Sequence, residues 1–389
     1  MSNWFGKKRG NATLIIDINS GSTGAALVSS KSQDVPRILA RTQTPYSWVK
    51  TRTSSNMEGA MLVSLRNTLA QIISELALVK DEDLKEGIDK AIVTFSSPWI
   101  DSYLRTTKIS KKDSFVFDKE MLNLILVEEK KTFNSKLNES FKEESQIFES
   151  SILRLYLNGY SSSEPISGRV NEVELSLILS ATTKDFIEKI ENELIKTVGL
   201  KRGVALHSFM YVFYKILSHS YRSIHSALLV DVTAEATDIL FLHHGSSAIK
   251  ASLAFGPGTI VRAVAEKLKV KEEIAHSYLS LFAHEALDQP TIQIIDEVLT
   301  GNEDLWRSLW KDTEEKIKKS ADVPYSIFLL TPPGSGKIME TFLENVFKGK
   351  HIIMMGETNS FTKELARGTE QIMNDERMLM LASFSNLLN

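Results

Sequence analysis

The chain has 389 residues and a mass of 43.6 kDa, which predicts more than one folding unit because a single domain usually has about 100 to 200 residues. Its 42% hydrophobic and 24% charged residues are typical of soluble globular proteins and exclude a fibrous repeat or wholesale disorder. A formal charge of −3 gives no basis for a dedicated nucleic-acid protein, and the absence of cysteine excludes disulfides and thiolate metal sites. No stretch has the roughly 20 apolar residues of a transmembrane helix, and no signal-peptide core is present, so we expect a cytoplasmic protein.

The first ten residues, MSNWFGKKRG, combine two aromatic side chains with three cations and contain no acidic residue. Aromatic rings are well placed at the depth of lipid headgroups, and cations bind anionic lipids. Trp4, Phe5, Lys7, Lys8 and Arg9 are therefore predicted to contact an anionic surface at the inner face of the cell membrane. The alternative is a frayed start of the chain with Trp4 packed against the body of the protein.

Two segments far apart in the chain share one pattern. LIIDINSGSTGAALVSS is an apolar strand, a polar turn rich in Gly and Ser, and a second strand, which predicts a β-hairpin. ALLVDVTAEATDILFLHHG repeats the pattern, and when Asp17 is aligned with Asp231 both copies have a Thr six positions later. The chain is therefore predicted to be internally duplicated.

The remaining segments alternate between strand and helix patterns. In chain order we predict a helix over 56–79, a strand ending at Pro98, a helix from Asp118 to about Glu144, strands over 152–160 and 173–182, helices over 185–198, 259–285 and 291–319, a strand and Gly-rich loop over 325–337, a helix over 337–347, a strand over 351–356 and a largely helical end over 359–388. This order predicts an α/β protein in two related lobes, each opened by a hairpin.

The two hairpin turns have residues suited to nucleotide binding. Backbone N–H groups and hydroxyls of a Gly, Ser and Thr turn can hold phosphate oxygens, and a carboxylate at the strand end can hold magnesium through water. We expect Asp17 and Asp231 to lie on opposite walls of one cleft between the lobes. The alternative is two ordinary hairpins in which each Asp only caps its turn.

TPPGSGK offers a rival interpretation as a Walker A loop. That motif needs a Gly five residues before the Gly that precedes the Lys, and a Ser or Thr after the Lys, whereas this chain has Thr331 at the first of these positions and Ile338 at the second. A P-loop NTPase is not predicted.

Several segments together resemble the actin-like ATPase superfamily, and within it the branch of the bacterial membrane-associated adaptors FtsA and PilM. The similar segments are LIIDINSGSTGAAL for the first phosphate loop, LLVDVTAEATDILF for the second, LAFGPGTIVRAVAEKLKVKEEIA after it, FLLTPPGSGKIMETFL for the adenosine loop, and KAIVTFSSPWIDS up to LILSAT for the inserted SHS2-type subdomain. The order of these segments covers nearly the whole chain.

The resemblance implies a two-lobed actin-like fold, which is a duplicated ribonuclease H-like fold, with an SHS2-like insertion. The implied domains are a first lobe at 1–87 and 182–224, with a C-terminal helix at 365–389 packed back on it through Met378, Leu379, Ala382 and Phe384, the SHS2-like subdomain at 88–181, and a second lobe at 225–364 that includes a helical subdomain at about 257–320.

The resemblance also implies a site for ATP with Mg²⁺. The implied nucleotide-binding residues are Asp17, Ser20, Gly21, Ser22 and Thr23 in the first loop, Asp231, Thr233, Glu235, Thr237 and Gly258 at the second, and Gly334 and Gly336 at the adenosine loop. Asp17 and Asp231 are expected to hold Mg²⁺ through water. His207 stands where relatives have an acid that orients water, and it is the candidate catalytic residue.

Departures from the family pattern weaken this site. Ala234 and Ala236 replace glycines of the second phosphate loop, where a side chain restricts positive φ and close approach of phosphate. Pro332 and Pro333 replace glycines of the adenosine loop. We therefore expect ATP binding that is weak or vestigial, with slow hydrolysis at best.

The function implied by the resemblance is that of an adaptor. Our first interpretation is an FtsA-like protein that tethers cell-division or envelope machinery to the cytoplasmic membrane. One alternative is a PilM-like cytoplasmic platform of a type IV pilus or secretion system, and another is an active actin-like ATPase. The expected partners are an FtsZ-like filament or the cytoplasmic tail of a membrane protein, further copies of the chain, and an anionic membrane surface.

We predict that the intact chain pellets with anionic vesicles more strongly than a chain that starts at Asn11, because each cation near such a surface contributes about 1 kcal/mol. Added salt should weaken this binding without abolishing it, since salt screens charge and not aromatic insertion. Co-sedimentation measures both effects, and equal pelleting of the two chains would show that the aromatic cationic segment does not bind membranes.

Overall fold

The protein is described here by a computed structural model. The structure describes residues 12–29, 36–47, 53–78, 88–140, 143–162, 168–200, 203–221, 226–243, 248–319, 321–332, 335–355 and 375–388. The predicted membrane-contact residues at 4–9 and the predicted adenosine-loop residue Gly334 lie outside the described residues.

Fourteen strands and nine helices are present in the described part of the chain. The strands are β1 Ala12–Ile18, β2 Ser22–Ser29, β3 Arg37–Pro45, β4 Ile88–Phe95, β5 Asp101–Val116, β6 Ser145–Leu157, β7 Tyr160–Ser161, β8 Arg169–Thr183, β9 Val204–Ser208, β10 Ser226–Val232, β11 Thr237–His243, β12 Ile249–Leu253, β13 Ser326–Leu330 and β14 His351–Met354. The helices are α1 Ser54–Leu78, α2 Lys119–Ser140, α3 Lys184–Val198, α4 Phe209–Ser220, α5 Pro257–Leu268, α6 Glu272–Ala283, α7 Gln289–Lys318, α8 Gly336–Val346 and α9 Glu376–Leu387. None of these helices is long and apolar enough to cross a membrane.

The chain divides into two compact units. The first comprises Met1–Tyr103, Thr107–Ser220 and Ser360–Asn389, and the second comprises Leu104–Thr106 and Tyr221–Asn359. Each unit contains one five-stranded sheet, and the first also contains a four-stranded sheet.

The two five-stranded sheets have the same topology. The first has the order β3-β2-β1-β4-β9 and the second the order β12-β11-β10-β13-β14. In each, the opening hairpin is antiparallel and the next two strands are added in parallel. The duplication predicted from the Asp17 and Asp231 alignment is therefore confirmed.

The core of the first unit explains why β1 reads as a continuous apolar run. Leu14, Ile16 and Ile18 are fully buried and pack with Leu65 and Leu69 of α1. Both faces of β1 are covered, since every residue from Ala12 to Ile18 is buried.

The four-stranded sheet has the order β5-β8-β6-β7 and lies in the chain between β4 and α3, where the inserted subdomain was predicted. Helix α2 packs on one face of this sheet, where Leu122 meets Leu155 and Leu175. The Asp118 carboxylate accepts a hydrogen bond from the Met121 N–H at 2.9 Å, as expected for an N-cap.

Some predicted elements differ from the structure. The helix predicted over 259–285 is two helices, α5 and α6, because Lys269 adopts φ 55° and ends α5. The strand predicted to end at Pro98 ends at Phe95. Strand β5 was not predicted, because its residues are mostly exposed and their charges hide the alternation of a strand.

Helix α9, Glu376–Leu387, packs on the first unit, and the remainder of the predicted range 365–389 lies largely outside the described residues. Met378, Leu379, Ala382 and Phe384 are at most 2% exposed, and the helix contacts α4, β1 and β2. A helix that is apolar on nearly every side is expected to be buried on nearly every side.

Gly256, just before α5, lies against the β10–β11 turn. A Cβ at this position would lie 2.2 Å from the Thr233 carbonyl oxygen and 2.5 Å from that of Ala234. Because both contacts are with backbone, the turn and the start of α5 can approach this closely only when residue 256 is glycine.

We predict that Gly256→Ala destabilises the second unit by about 1 to 3 kcal/mol, the usual cost of overpacking. The matched control is Gly301→Ala within α7, where a Cβ meets nothing within 4 Å and a gain of about 0.5 to 1 kcal/mol is expected. Urea unfolding measures both changes, and equal effects of the two substitutions would contradict the close approach at Gly256.

Candidate functional site

In the turn between β1 and β2, backbone N–H groups donate hydrogen bonds to a side chain of the same turn. The Asn19 side-chain oxygen accepts hydrogen bonds from the N–H groups of Gly21 at 2.9 Å and Ser22 at 3.0 Å. This is an Asx-type turn, which closes a tight bend without any ligand. Two donors that were predicted to hold phosphate are therefore already bonded within the loop.

Two aromatic residues fix the other side of this turn. The Tyr46 hydroxyl donates to the Asn19 carbonyl at 2.5 Å, and the Trp99 indole N–H donates to the same oxygen at 2.7 Å. The two rings meet edge to face with centroids 6.1 Å apart. Burial raises the pKa of Tyr46 well above its ordinary value, so its hydroxyl remains a donor.

Asp17, at the end of β1, forms an ion pair with Arg377 of α9. Arg377 donates from Nε to Asp17 Oδ2 at 2.6 Å and from Nη2 to Oδ1 at 3.2 Å. The Arg377 side chain is 14% exposed and the Asp17 side chain is 4% exposed. Arg377 also donates to the Ser96 hydroxyl at 2.6 Å, and its guanidinium lies 3.4 Å from the centroid of the Phe209 ring. The carboxylate predicted to hold magnesium is therefore bound to a side chain of the same protein.

A second ion pair fixes the start of α9. The Asp375 carboxylate caps the helix by accepting from the Met378 N–H at 2.9 Å, and Arg41 of β3 lies 2.5 Å from the other carboxylate oxygen. Burial raises the pKa of Asp375, and the nearby Arg41 opposes this shift.

The turn between β10 and β11 is also closed by its own atoms. The N–H and hydroxyl of Thr233 both donate to the Ala236 carbonyl, at 2.8 and 3.0 Å. Asp231 is fully buried, and the Thr237 hydroxyl donates to the Phe255 carbonyl at 2.7 Å. Of the side chains predicted for the second phosphate site, those of Thr233 and Thr237 donate hydrogen bonds to backbone carbonyls of the protein, and Asp231 is buried.

Glu235 approaches Gly258 at the start of α5. A Cβ on Gly258 would lie 2.5 Å from the Glu235 carboxylate, and this carboxylate pairs with Arg262 at 2.8 Å. The Gly258 N–H donates to the Ala234 carbonyl at 2.8 Å. The space that glycine leaves is thus used by an acidic side chain, which would repel a phosphate.

A small, mainly apolar pocket lies within the second unit. It is lined by Pro257, Ile260, Val261, His276, Leu279, Ser280, Ser335, Ile338 and Met339. Gly336, from the predicted adenosine loop, begins α8 between two of these residues. The pocket lies at the segment that the resemblance assigns to adenosine.

The predicted catalytic residue His207 is bound to Glu149 of β6. Its Nδ1 lies 3.0 Å from one Glu149 carboxylate oxygen. The other oxygen accepts from the Ser208 hydroxyl and N–H, at 2.5 and 3.1 Å, and from the Ser180 hydroxyl at 2.8 Å. The His207 ring contacts Phe384 of α9 with centroids 5.1 Å apart. His207 therefore joins β9 to the inserted sheet, and its catalytic role stays a prediction.

The residues present do not fit magnesium at Asp17. Every side of the carboxylate has a donor: Arg377 on both oxygens, Thr94 at 2.9 Å on Oδ1 and Asn19 at 3.3 Å on Oδ2. Within the described ranges, no group of three or more His, Asp or Glu side chains could hold a metal ion.

A second candidate surface lies on the face of the inserted sheet turned toward α4. We call it the β6–α4 surface and define it by Arg154, Tyr156, Glu174, Tyr211, Tyr214 and Lys215. Arg154 and Tyr156 lie on β6, and Tyr156 pairs with Glu174 of β8. The Tyr214 hydroxyl donates to the Leu153 carbonyl at 2.7 Å, which fixes α4 against β6.

The β6–α4 surface contains buried polar atoms with no hydrogen-bond partner among the described residues. They are Nε and Nη2 of Arg154 and one carboxylate oxygen of Glu174. Burial raises the pKa of Tyr214 to about 12, with Arg154 opposing the shift, and burial lowers the pKa of Lys215. Buried polar atoms are nearly always paired, so these atoms are exceptions within the described part of the chain.

Sequence reasoning found the two loops and missed the residues that close them. Arg377 could have been noticed as a lone cation in the apolar run RMLMLASF, since a cation on a buried helix needs a partner. Glu149 and Arg154 gave no comparable signal, because their segment has the ordinary charge content of an exposed strand.

No model of a known protein family matches this sequence, and no curated protein sequence matches it. Solved structures do match over nearly the whole chain. A chain of the PilM-PilN type IV pilus biogenesis complex is similar with 13% identity and a TM-score of 0.62, covering 98% of this chain and 99% of that one. The ethanolamine utilization protein EutJ from Carboxydothermus hydrogenoformans is similar with 11% identity and a TM-score of 0.50, covering 97% of this chain and 92% of that one.

A protein with an actin-like ATPase fold from Bacteroides thetaiotaomicron also matches, with 11% identity, a TM-score of 0.43 and coverage of 96% of each chain. At these identities the similarity concerns the fold. The chain has the actin-like ATPase fold, and it shares its fold over 98% of its length with a chain of the PilM-PilN complex.

Proposed function

We propose that the chain is an adaptor that binds the cytoplasmic tail of a membrane protein, in the manner of a PilM-like platform of a type IV pilus or secretion system. The observation that carries this proposal is the similarity to a chain of the PilM-PilN complex over the full length of both chains. An FtsA-like role in cell division stays a prediction, since neither the described contacts nor the comparisons point to a filament partner.

The closed loops favour an adaptor over an enzyme. Phosphate binding at the first turn would have to displace the Asn19 hydrogen bonds and the Arg377 ion pair. At the second turn it would meet the Glu235 carboxylate. We therefore propose that Mg²⁺-ATP binds weakly or not at all, and that membrane attachment comes from the partner, assisted by the N-terminal aromatic cationic segment.

We place the tail on the β6–α4 surface. An unpaired buried polar group costs about 1 to 3 kcal/mol, and more when it is charged. An extended tail can supply backbone carbonyls to Arg154 and N–H groups to Glu174, which would satisfy both residues. Tyr211 and Tyr214 add aromatic area of the kind that is common in binding surfaces. On this proposal the inserted subdomain, predicted as SHS2-like at 88–181, serves for partner binding.

We predict that Arg154→Ala and Glu174→Ala each weaken tail binding by about tenfold or more, because each leaves a partner group of the tail unpaired. Fluorescence anisotropy with labelled cytoplasmic tails of the membrane proteins encoded beside this gene measures the effect. The control is Lys131→Ala on α2, an exposed residue outside the surface.

Tail binding that is unchanged in the Arg154 and Glu174 variants would contradict the placement on this surface. If none of the tails binds while FtsZ-like filaments co-sediment with the chain, the division role replaces the pilus role.

A further inference from the structure

We propose that helix α9 is an intramolecular strap whose Arg377 guanidinium takes the cation position of the first phosphate loop, so that docking of α9 and binding of a divalent cation at Asp17 exclude each other. The proposal goes beyond the adaptor function, because tail binding at the β6–α4 surface does not depend on it.

The Arg377 guanidinium and the Asp17 carboxylate form a forked ion pair. The planar guanidinium donates from two nitrogens to the two oxygens of one carboxylate, at 2.6 and 3.2 Å. This forked arrangement is the strong form of an ion pair, and burial protects it from water. A divalent cation at the same oxygens would lie within a few ångströms of the guanidinium and would be repelled.

The Asp17 carboxylate has no acceptor position left for a further hydrogen bond. An ionised carboxylate has about four directions from which it accepts hydrogen bonds. Arg377 takes two of them, and Thr94 and Asn19 take the others. No direction is left for the water through which a magnesium ion would be held.

Helix α9 is a separate element from the far end of the chain, and it reaches Asp17 through Arg377. The pair joins residues 360 positions apart. The Arg41–Asp375 ion pair holds the start of the helix, and the Phe209 ring covers the guanidinium. Helix α9 and the β1–β2 turn are therefore held together by tertiary contacts. A single substitution at Arg377 can remove the cation of the pair and leave the Asp17 carboxylate in place.

The test uses the full chain and Mn²⁺, added alone and with ATP, with bound Mn²⁺ counted by electron paramagnetic resonance. The wild-type chain should show no Mn²⁺ site that depends on Asp17. Arg377→Gln removes the charge and shortens the side chain, and it should raise Mn²⁺ affinity at least about tenfold, because a like charge a few ångströms away is gone. The double variant Asp17→Asn with Arg377→Gln should lose that gain.

Two controls separate charge from loosening of the helix. Arg377→Lys keeps the cation and should gain no Mn²⁺ site. Arg41→Gln loosens the start of α9 without touching the Arg377 pair, and it should lower the melting temperature and also gain no Mn²⁺ site.

Three results would overturn the proposal: a wild-type Mn²⁺ site that Asp17→Asn removes, no gain in Arg377→Gln, or an equal gain in Arg377→Lys. If Arg377→Gln does not fold, the pairing is tested by stability. Asp17→Asn combined with Arg377→Met should then melt at a higher temperature than Asp17→Asn alone, and equal melting temperatures would contradict the pairing.

Discussion

The ion pair between Asp17 and Arg377 joins the first strand of the chain to its last helix. Removing either partner would leave an uncompensated buried charge, which typically costs about 3 to 5 kcal/mol. Much of the first unit is arranged around this requirement: Ser96 and Phe209 surround the guanidinium, and Thr94 supports the carboxylate. The same pair occupies the carboxylate oxygens that the sequence predicted to hold Mg²⁺.

The two hairpin turns use their own side chains and carbonyl groups to pair their backbone donors. In the first turn the Asn19 side chain takes the N–H groups, and in the second Thr233 bonds to Ala236. Backbone donors that are satisfied within a loop gain little from a ligand, because binding then exchanges one hydrogen bond for another. The duplicated architecture thus has two turns that are each closed by internal hydrogen bonds.

The β6–α4 surface differs from the two turns because some of its polar atoms have no hydrogen-bond partner among the described residues. There the buried nitrogens of Arg154 and one oxygen of Glu174 have no partner among the described residues. Helix α9 also reaches this side of the unit, since Phe384 contacts both His207 and Tyr211. The two turns are thus closed by their own contacts, whereas the β6–α4 surface retains buried polar atoms without a partner among the described residues.

The sequence by itself determined the hairpins, their duplication, the α/β class and the buried closing helix. These features follow from local chemistry: apolar runs, Gly-rich turns and the apolar period of RMLMLASF are all visible within about a dozen residues. It also predicted weak or vestigial nucleotide binding from Ala234 and Pro332. Only the tertiary structure decided which side chain pairs with Asp17, because Arg377 meets it across 360 positions of chain. A pairing at that separation leaves no periodic trace in the sequence, and its partners are chosen by packing alone.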